Sequence, residues 1–315
     1  MTSMSSLNVV IGATGTLGSA LVQHMHAEGA EVRALARDRE IAESMLPDGV
    51  DIRPVDALDV ASIQAGCAGA ANIYNCLYAP EHSPAIVGNL LATAAACHAR
   101  LIFPSNPDVY GPPLVHPIPE THSHNAASAR GKRRIALEET LTAAHQRGDA
   151  EVVIGRLASL YGAHLRGSLM ASVFENARLG KKSYWLGSLD AVHDMLYAPD
   201  AAAALFLLAH MPSAAGQSWH IPGPVALTGR QFMTLVYQAF GNAPNIDARS
   251  RIFVKALSFI APDAKKLLEV MYQFDQPFSM SGEKLAGALP DFQYTPHETA
   301  VADTAEWFIA EHQAA

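Results

Sequence analysis

A chain of 315 residues, half of them apolar and 17% charged, suits a large folded core with a smaller second lobe and excludes a disordered chain. A formal charge of −8 without a basic stripe argues against a nucleic-acid surface, and the longest apolar run, around Ala201 to Ala209, is too short to cross a bilayer. The three cysteines (Cys67, Cys76 and Cys97) lack metal spacing and the polar start has no signal-peptide core, which fits a reducing cytoplasm.

In chain order, Val9 to Ile11 is an apolar run that reads as a strand buried on both faces of a parallel sheet. It leads into Gly12-Ala13-Thr14-Gly15-Thr16-Leu17-Gly18, then a helix over Ser19 to Glu28. Gly12 permits the sharp turn, Gly15 a close approach of backbone to a pyrophosphate, and Gly18 tight packing of helix on strand. Thr14, Thr16 and Leu17 complete a loop whose N–H groups face the phosphates. The second strand, Glu31 to Arg37, is expected to end beside the adenosine ribose. A carboxylate there would suit NAD; the chain has Ala36 and then Arg37, with Arg33 and Arg39 nearby. A guanidinium forms charge-assisted contacts with a 2′-phosphate, so the expected cofactor is NADP(H).

Further strands are predicted over 50–56, 71–77, 101–103 and 151–156, with helices over 60–65, 85–98 and 131–146 between them. This alternation implies an α/β fold, a Rossmann-type doubly wound parallel sheet built from right-handed crossovers. Beyond Gly162 the pattern loosens, as a smaller C-terminal substrate lobe would show. Trp219-His220-Ile221 reads as one more strand and Ala300 to Glu311 as a closing amphipathic helix. The expected division is a nucleotide-binding domain over 1–162, with 188–215 returning to it, and a substrate lobe over 163–187 and 216–315.

Several segments in order resemble the extended short-chain dehydrogenase/reductase superfamily, in its NAD-dependent epimerase/dehydratase-like branch. They are the glycine loop, Asp56-Ala57-Leu58-Asp59, Asn75 to Pro80, Val109-Tyr110-Gly111-Pro112, Arg156 to Gly162 and His193 to Asp200. The resemblance implies that Asp56 and Ala57 meet adenine, that Leu77 and Tyr78 line the cofactor, and that Ser159 lies near the nicotinamide. It also implies a small-molecule substrate, with neither nucleic acid nor membrane as partner, and a homodimer by analogy.

The catalytic positions diverge from that family. None of the nine tyrosines has a lysine four residues on. The family's serine or threonine position falls on Asn106. Aligning Arg130-Gly131-Lys132-Arg133-Arg134-Ile135-Ala136-Leu137-Glu138 by its glycine and glutamate puts Arg130 at the tyrosine position and Arg134 at the lysine position. A shifted register pairs Ser128 with Lys132 and loses both anchors. Arginine is a poor proton donor near neutrality but stabilises an oxyanion or holds a carboxylate. Candidate proton carriers by position are Tyr78, Asp108, Tyr110, Tyr161 and His193. His116, Glu120, His122 and His124 read as an exposed lid loop without firm metal spacing, and Leu267 to Phe278 as either pocket lining or lobe core.

The expected function is an atypical NADP(H)-dependent oxidoreductase acting on a small, partly apolar carbonyl or hydroxyl compound. The alternatives are an epimerase, dehydratase or lyase with tightly bound cofactor, and a redox-silent NADP(H) sensor or scaffold. Arg37→Glu is expected to lower the NADPH/NADH affinity ratio about tenfold or more in a fluorescence titration; an unchanged ratio contradicts the assignment.

Overall fold

The computed structural model describes residues 6–77, 79, 83–112 and 114–313. The chain runs β1 (Leu7–Ile11), α1 (Thr16–Ala27), β2 (Val32–Ala36), α2 (Arg39–Met45), β3 (Asp51–Pro54), α3 (Val60–Cys67), β4 (Ala70–Asn75), α4 (Ser83–Cys97) and β5 (Arg100–Ser105). A 3-10 turn (Pro107–Val109) precedes α5 (Ala129–Gln146) and β6 (Glu151–Leu157). Next come β7 (Ser159–Tyr161), α6 (Leu169–Arg178), β8 (Ser183–Leu186), β9 (Val192–His193), β10 (Met195–Tyr197), α7 (Ala198–His210) and β11 (Ser218–Ile221). The chain continues through β12 (Leu227–Thr228), α8 (Gly229–Ala239), β13 (Ile246–Arg249), α9 (Arg251–Leu257), α10 (Pro262–Val270), α11 (Glu283–Ala288) and α12 (His297–Gln313).

Seven strands form the central parallel sheet in the order β11-β6-β5-β4-β1-β2-β3, the doubly wound arrangement expected from the alternation of elements. β1 and β2 are buried along their whole length. Burial of Arg33 within β2 is tolerated because Asp51 accepts from its Nε at 2.6 Å and the carbonyls of Gly66 and Ala68 accept from Nη1 at 2.9 Å. Helix α1 starts at Thr16, three residues before the sequence-based expectation, because Gly15 acts as its N-cap and Gly18 lies inside the first turn. Low glycine propensity hides such a start from pattern reading.

Contacts divide the chain into two compact units. One comprises the residues up to Asn106 with Ile135–Arg156 and Ala201–Trp219; the other comprises Pro107–Arg134, Leu157–Asp200 and the residues from His220 on. The loop 107–134 and the segment 157–162, assigned from sequence to the nucleotide-binding domain, therefore group with the second unit. The first unit's core joins Val9, Ile11, Ile73, Leu101, Phe103 and Ile154 of the sheet to Leu137 and Leu141 of α5. The second unit's core is aromatic, centred on Tyr161, Phe174, Trp185, Phe232 and Phe308.

Within the first unit, Glu138 and Arg156 form an ion pair at 2.6 Å with side chains only 3% and 2% exposed. Ser105, at the end of β5, donates to the other carboxylate oxygen at 2.5 Å. Removing one member strands a buried charge. Glu138→Ala is expected to cost about 3–5 kcal/mol in chemical denaturation. The paired change Glu138→Leu with Arg156→Met is expected to cost less than the single change, and a larger loss in the pair would refute this reading.

Candidate cofactor cradle and active site

In the first unit the glycine loop connects β1 to α1. Gly12 adopts φ +82°, and a Cβ there would come within 3.0 Å of the Cys76 carbonyl. At Gly18 a Cβ would collide with the Gly12 carbonyl oxygen and lie 2.9 Å from Ala13 Cα. Both glycines are thus required by the protein's own packing. Gly15 differs: it is exposed, and its Cβ would meet only Gly12 O at an ordinary 3.5 Å. Nothing in the loop itself requires glycine there, whereas an approaching phosphate would.

The first intrahelical bond of α1 is donated by Ser19 N to Gly15 O at 2.8 Å. The N–H groups of Thr16, Leu17 and Gly18 therefore precede the i→i−4 ladder, the N-cap Gly15 offers no side-chain cap and the first turn carries no acid. This is a suitable cradle for a dinucleotide pyrophosphate. Thr14 and Thr16 are half-buried beside it, and Leu17 is buried.

The three arginines around β2 separate cleanly. Arg33 is spent on Asp51 and two carbonyls, and Arg39 pairs with Glu43 at 2.7 Å. Arg37, immediately after the strand, is exposed and has no ion pair among the described residues. Asp56 accepts from Leu58 N at 2.9 Å, and the Ala57 carbonyl accepts from Asn89 Nδ2 at 3.2 Å, so this loop after β3 is shaped by its own polar groups. Leu77 packs against the first core, and its N–H points to Asn75 Oδ1 at 3.4 Å. Tyr78 lies outside the described residues.

The second unit brings together Asp108 and Arg130, two of the residues expected at the catalytic positions. Asp108 is 5% exposed, and its carboxylate accepts from Arg130 Nε at 2.5 Å and from Gln273 Nε2 at 2.9 Å. Glu269 accepts from the Arg130 backbone N–H at 2.7 Å, so its carboxylate caps the start of α5. Ser128 also caps that helix, accepting from Gly131 N at 3.0 Å, and Lys132 is exposed. Gly131 allows the close approach: a Cβ there would sit 2.6 Å from the Asp108 carbonyl oxygen.

Four cations, Arg130, Lys132, Arg133 and Arg134, crowd the helix end where the macrodipole disfavours positive charge. Asp108 and Glu269 offset part of that, leaving an end that favours an anion. Arg134 is half-buried, as is Asn106, which closes the first unit's segment after β5.

A polar chain continues from this pair. Gln273 donates to the Tyr272 hydroxyl at 3.1 Å, and Tyr272 donates to the Tyr110 carbonyl at 2.5 Å. The Tyr110 hydroxyl meets His220 Nε2 at 2.7 Å, and Glu120 accepts from the His220 backbone N–H at 3.0 Å. His122 and His124 stand edge-on to the Tyr110 ring. The segment read as an exposed lid is thus partly tied down: Glu120 and His122 are half-buried, while His116 and His124 remain exposed.

Other proton-carrier candidates are placed less favourably. His193 is buried against Phe274 and Trp185, with Nε2 unpartnered; burial lowers its pKa to about 4, so the imidazole is neutral at physiological pH. Tyr161 is fully buried against His297 Nδ1 at 3.1 Å, and burial pushes its pKa up. Tyr110 is fully buried as well. Ser159 lies half-buried in β7, paired with Met195 of β10. Burial also raises Asp194 to about 7 while Met280 N donates to it at 2.6 Å, and raises Tyr272 to about 12.

Glu269, Tyr272, Gln273 and His220 were not among the site residues expected from sequence. The aromatic run Leu267 to Phe278 pointed to the first three only as a segment, and His220 read simply as part of a strand.

The model of the NAD dependent epimerase/dehydratase family matches residues 8–221. The 2'-dehydrokanamycin reductase of Streptomyces kanamyceticus is 25% identical over an alignment covering 96% of this chain and 84% of that protein. Among solved structures, an epimerase from Methanothermobacter thermautotrophicus superposes with TM-score 0.83 at 15% identity, over 98% of this chain and 94% of its own. The dTDP-glucose 4,6-dehydratase of Bacillus anthracis, in complex with NAD, gives TM-score 0.80 at 15% identity over 98% of both chains. The two structural likenesses speak for the fold.

The glycines separate packing from ligand binding. Gly15→Ala is expected to leave Tm within a few degrees while weakening cofactor binding roughly tenfold or more. Gly18→Ala is expected to prevent folding. A Gly15→Ala protein that binds cofactor as tightly as the parent, by calorimetric titration, would remove the phosphate from this loop.

Proposed function

Because the chain belongs to the NAD dependent epimerase/dehydratase family, we propose that it is an NADP(H)-dependent oxidoreductase acting on a small, partly apolar carbonyl or hydroxyl compound that carries an anionic group. Gly12, Thr14, Gly15, Thr16, Leu17 and Gly18 would hold the pyrophosphate, Arg37 the 2′-phosphate, and Asp56, Ala57 and Leu77 the adenosine side. Nicotinamide, when bound, exchanges a hydride with the substrate carbon.

The observation that carries the reading is the Asp108–Arg130 pair. Asp108 is buried and held on its other oxygen by Gln273, so it orients the guanidinium, whose side chain keeps 39% exposure. A preorganised guanidinium stabilises negative charge on a substrate oxygen, or seats a carboxylate, without giving up a proton. The proton is supplied by water in this reading, since Tyr110 and Tyr161 are buried and His193 is a neutral packing residue. The reductase relative favours this over an epimerase or dehydratase cycle.

A panel of small keto acids and their neutral amides, assayed with NADPH, tests the proposal. Arg130→Ala is expected to lower kcat/KM about a hundredfold or more while leaving NADPH affinity unchanged, and Arg130→Lys to recover only part. Keto acids should be preferred to amides. Full activity in Arg130→Ala would remove the proposed site.

A further inference from the structure

The second unit contains a helical hairpin whose tip the fold leaves unused. Helices α9 and α10 pack together, and their inner side chains, Val254 and Ala264, join the aromatic core with Leu257 and Leu268. The outer stripe of α9 carries Ile252, Lys255 and Ala256 at helical spacing, all exposed. Ile252 is 82% exposed, and at the turn between the helices Phe259 and Ile260 are 82% and 83% exposed. Bulky apolar side chains this exposed project from the surface rather than line a groove.

Charge and area decide what such a tip fits. Residues 251–270 carry four cationic and two acidic side chains, in a chain whose formal charge is −8. One of the two acids, Glu269, is engaged at the start of α5, and one of the cations, Arg251, is paired with Asp275 at 2.6 Å, while Lys255 and Lys265 are exposed beside the tip. Ile252, Phe259 and Ile260, together with the less exposed Phe253 and Leu267, offer on the order of 600 Å², less than the roughly 800 Å² per partner of a stable protein interface. Insertion of a few apolar side chains flanked by lysines suits a lipid surface of opposite charge.

We propose that the α9–α10 hairpin docks this protein reversibly on anionic bilayers, with Phe259, Ile260 and Ile252 entering the acyl boundary and Lys255 and Lys265 meeting the headgroups. No helix among the described residues is long and apolar enough to cross a membrane, so the contact is peripheral. Such a tip leaves no span-like trace in the sequence.

Flotation of the full chain with phosphatidylcholine vesicles, pure or with about one-third phosphatidylglycerol, tests the proposal at low salt. The protein should float with the anionic vesicles and not with the neutral ones. Phe259→Asp with Ile260→Asp should cut the bound fraction roughly tenfold at unchanged Tm, and Lys255→Glu with Lys265→Glu should weaken it while steepening nothing in NADPH titration. Absence of flotation with anionic vesicles overturns the proposal. So does equal flotation of the Phe259→Asp/Ile260→Asp protein. Sedimentation in which the parent is a dimer, the tip variant is a monomer and neither floats would assign the patch to a second copy instead.

Discussion

The buried Glu138–Arg156 pair, closed by Ser105, fixes how α5 is turned against the sheet of the first unit, because any other rotation would strand a buried charge. Arg134 and Arg130 precede Glu138 by four and eight residues, so all three lie along one stripe of the helix, drifting about 40° per four residues. Glu138 is buried on this stripe while Arg134 and Arg130 are half-buried. Gly131 adds the second constraint, since only a residue without a side chain lets the first turn of α5 rest on the Asp108 backbone.

Those two constraints explain how the helix survives without a tyrosine and lysine pair. The packing requirements fall on Gly131 and Glu138, which are not among the positions expected to be catalytic. On the proposed function, arginines at positions 130 and 134 would leave that frame intact and put charge stabilisation in the place of proton transfer. The start of that helix also carries four cations, an unfavourable arrangement that Asp108 and Glu269 only partly offset. An anionic substrate at this end is the simplest further source of balance.

Much of the fold was legible in the sequence, because β1 and β2 are apolar runs and the β/α alternation has few topological solutions. The glycine spacing was legible too, although only the structure separates Gly15, where the loop has room, from Gly12 and Gly18, where it has none. Gly131 and Glu138, the two anchors of the expected Arg130 register, both have packing roles. What sequence spacing could not supply was the third dimension of the cluster. Glu269, Tyr272 and Gln273 reach Asp108, Tyr110 and Arg130 across more than 130 residues, and no local pattern records such contacts. Nor could it tell Arg33, consumed by Asp51 and two carbonyls, from Arg37, which remains exposed.

The central claim is that a cofactor held by the glycine loop is used in chemistry assisted by Arg130. Label transfer from NADPH deuterated at the nicotinamide C4 position, read by mass spectrometry of the products, tests it most directly. Deuterium should appear on carbon in a product carrying an anionic group, and Arg130→Ala should abolish the transfer while still binding NADPH. Tight NADPH binding with no label in any product would contradict the account and leave the chain as a binding protein.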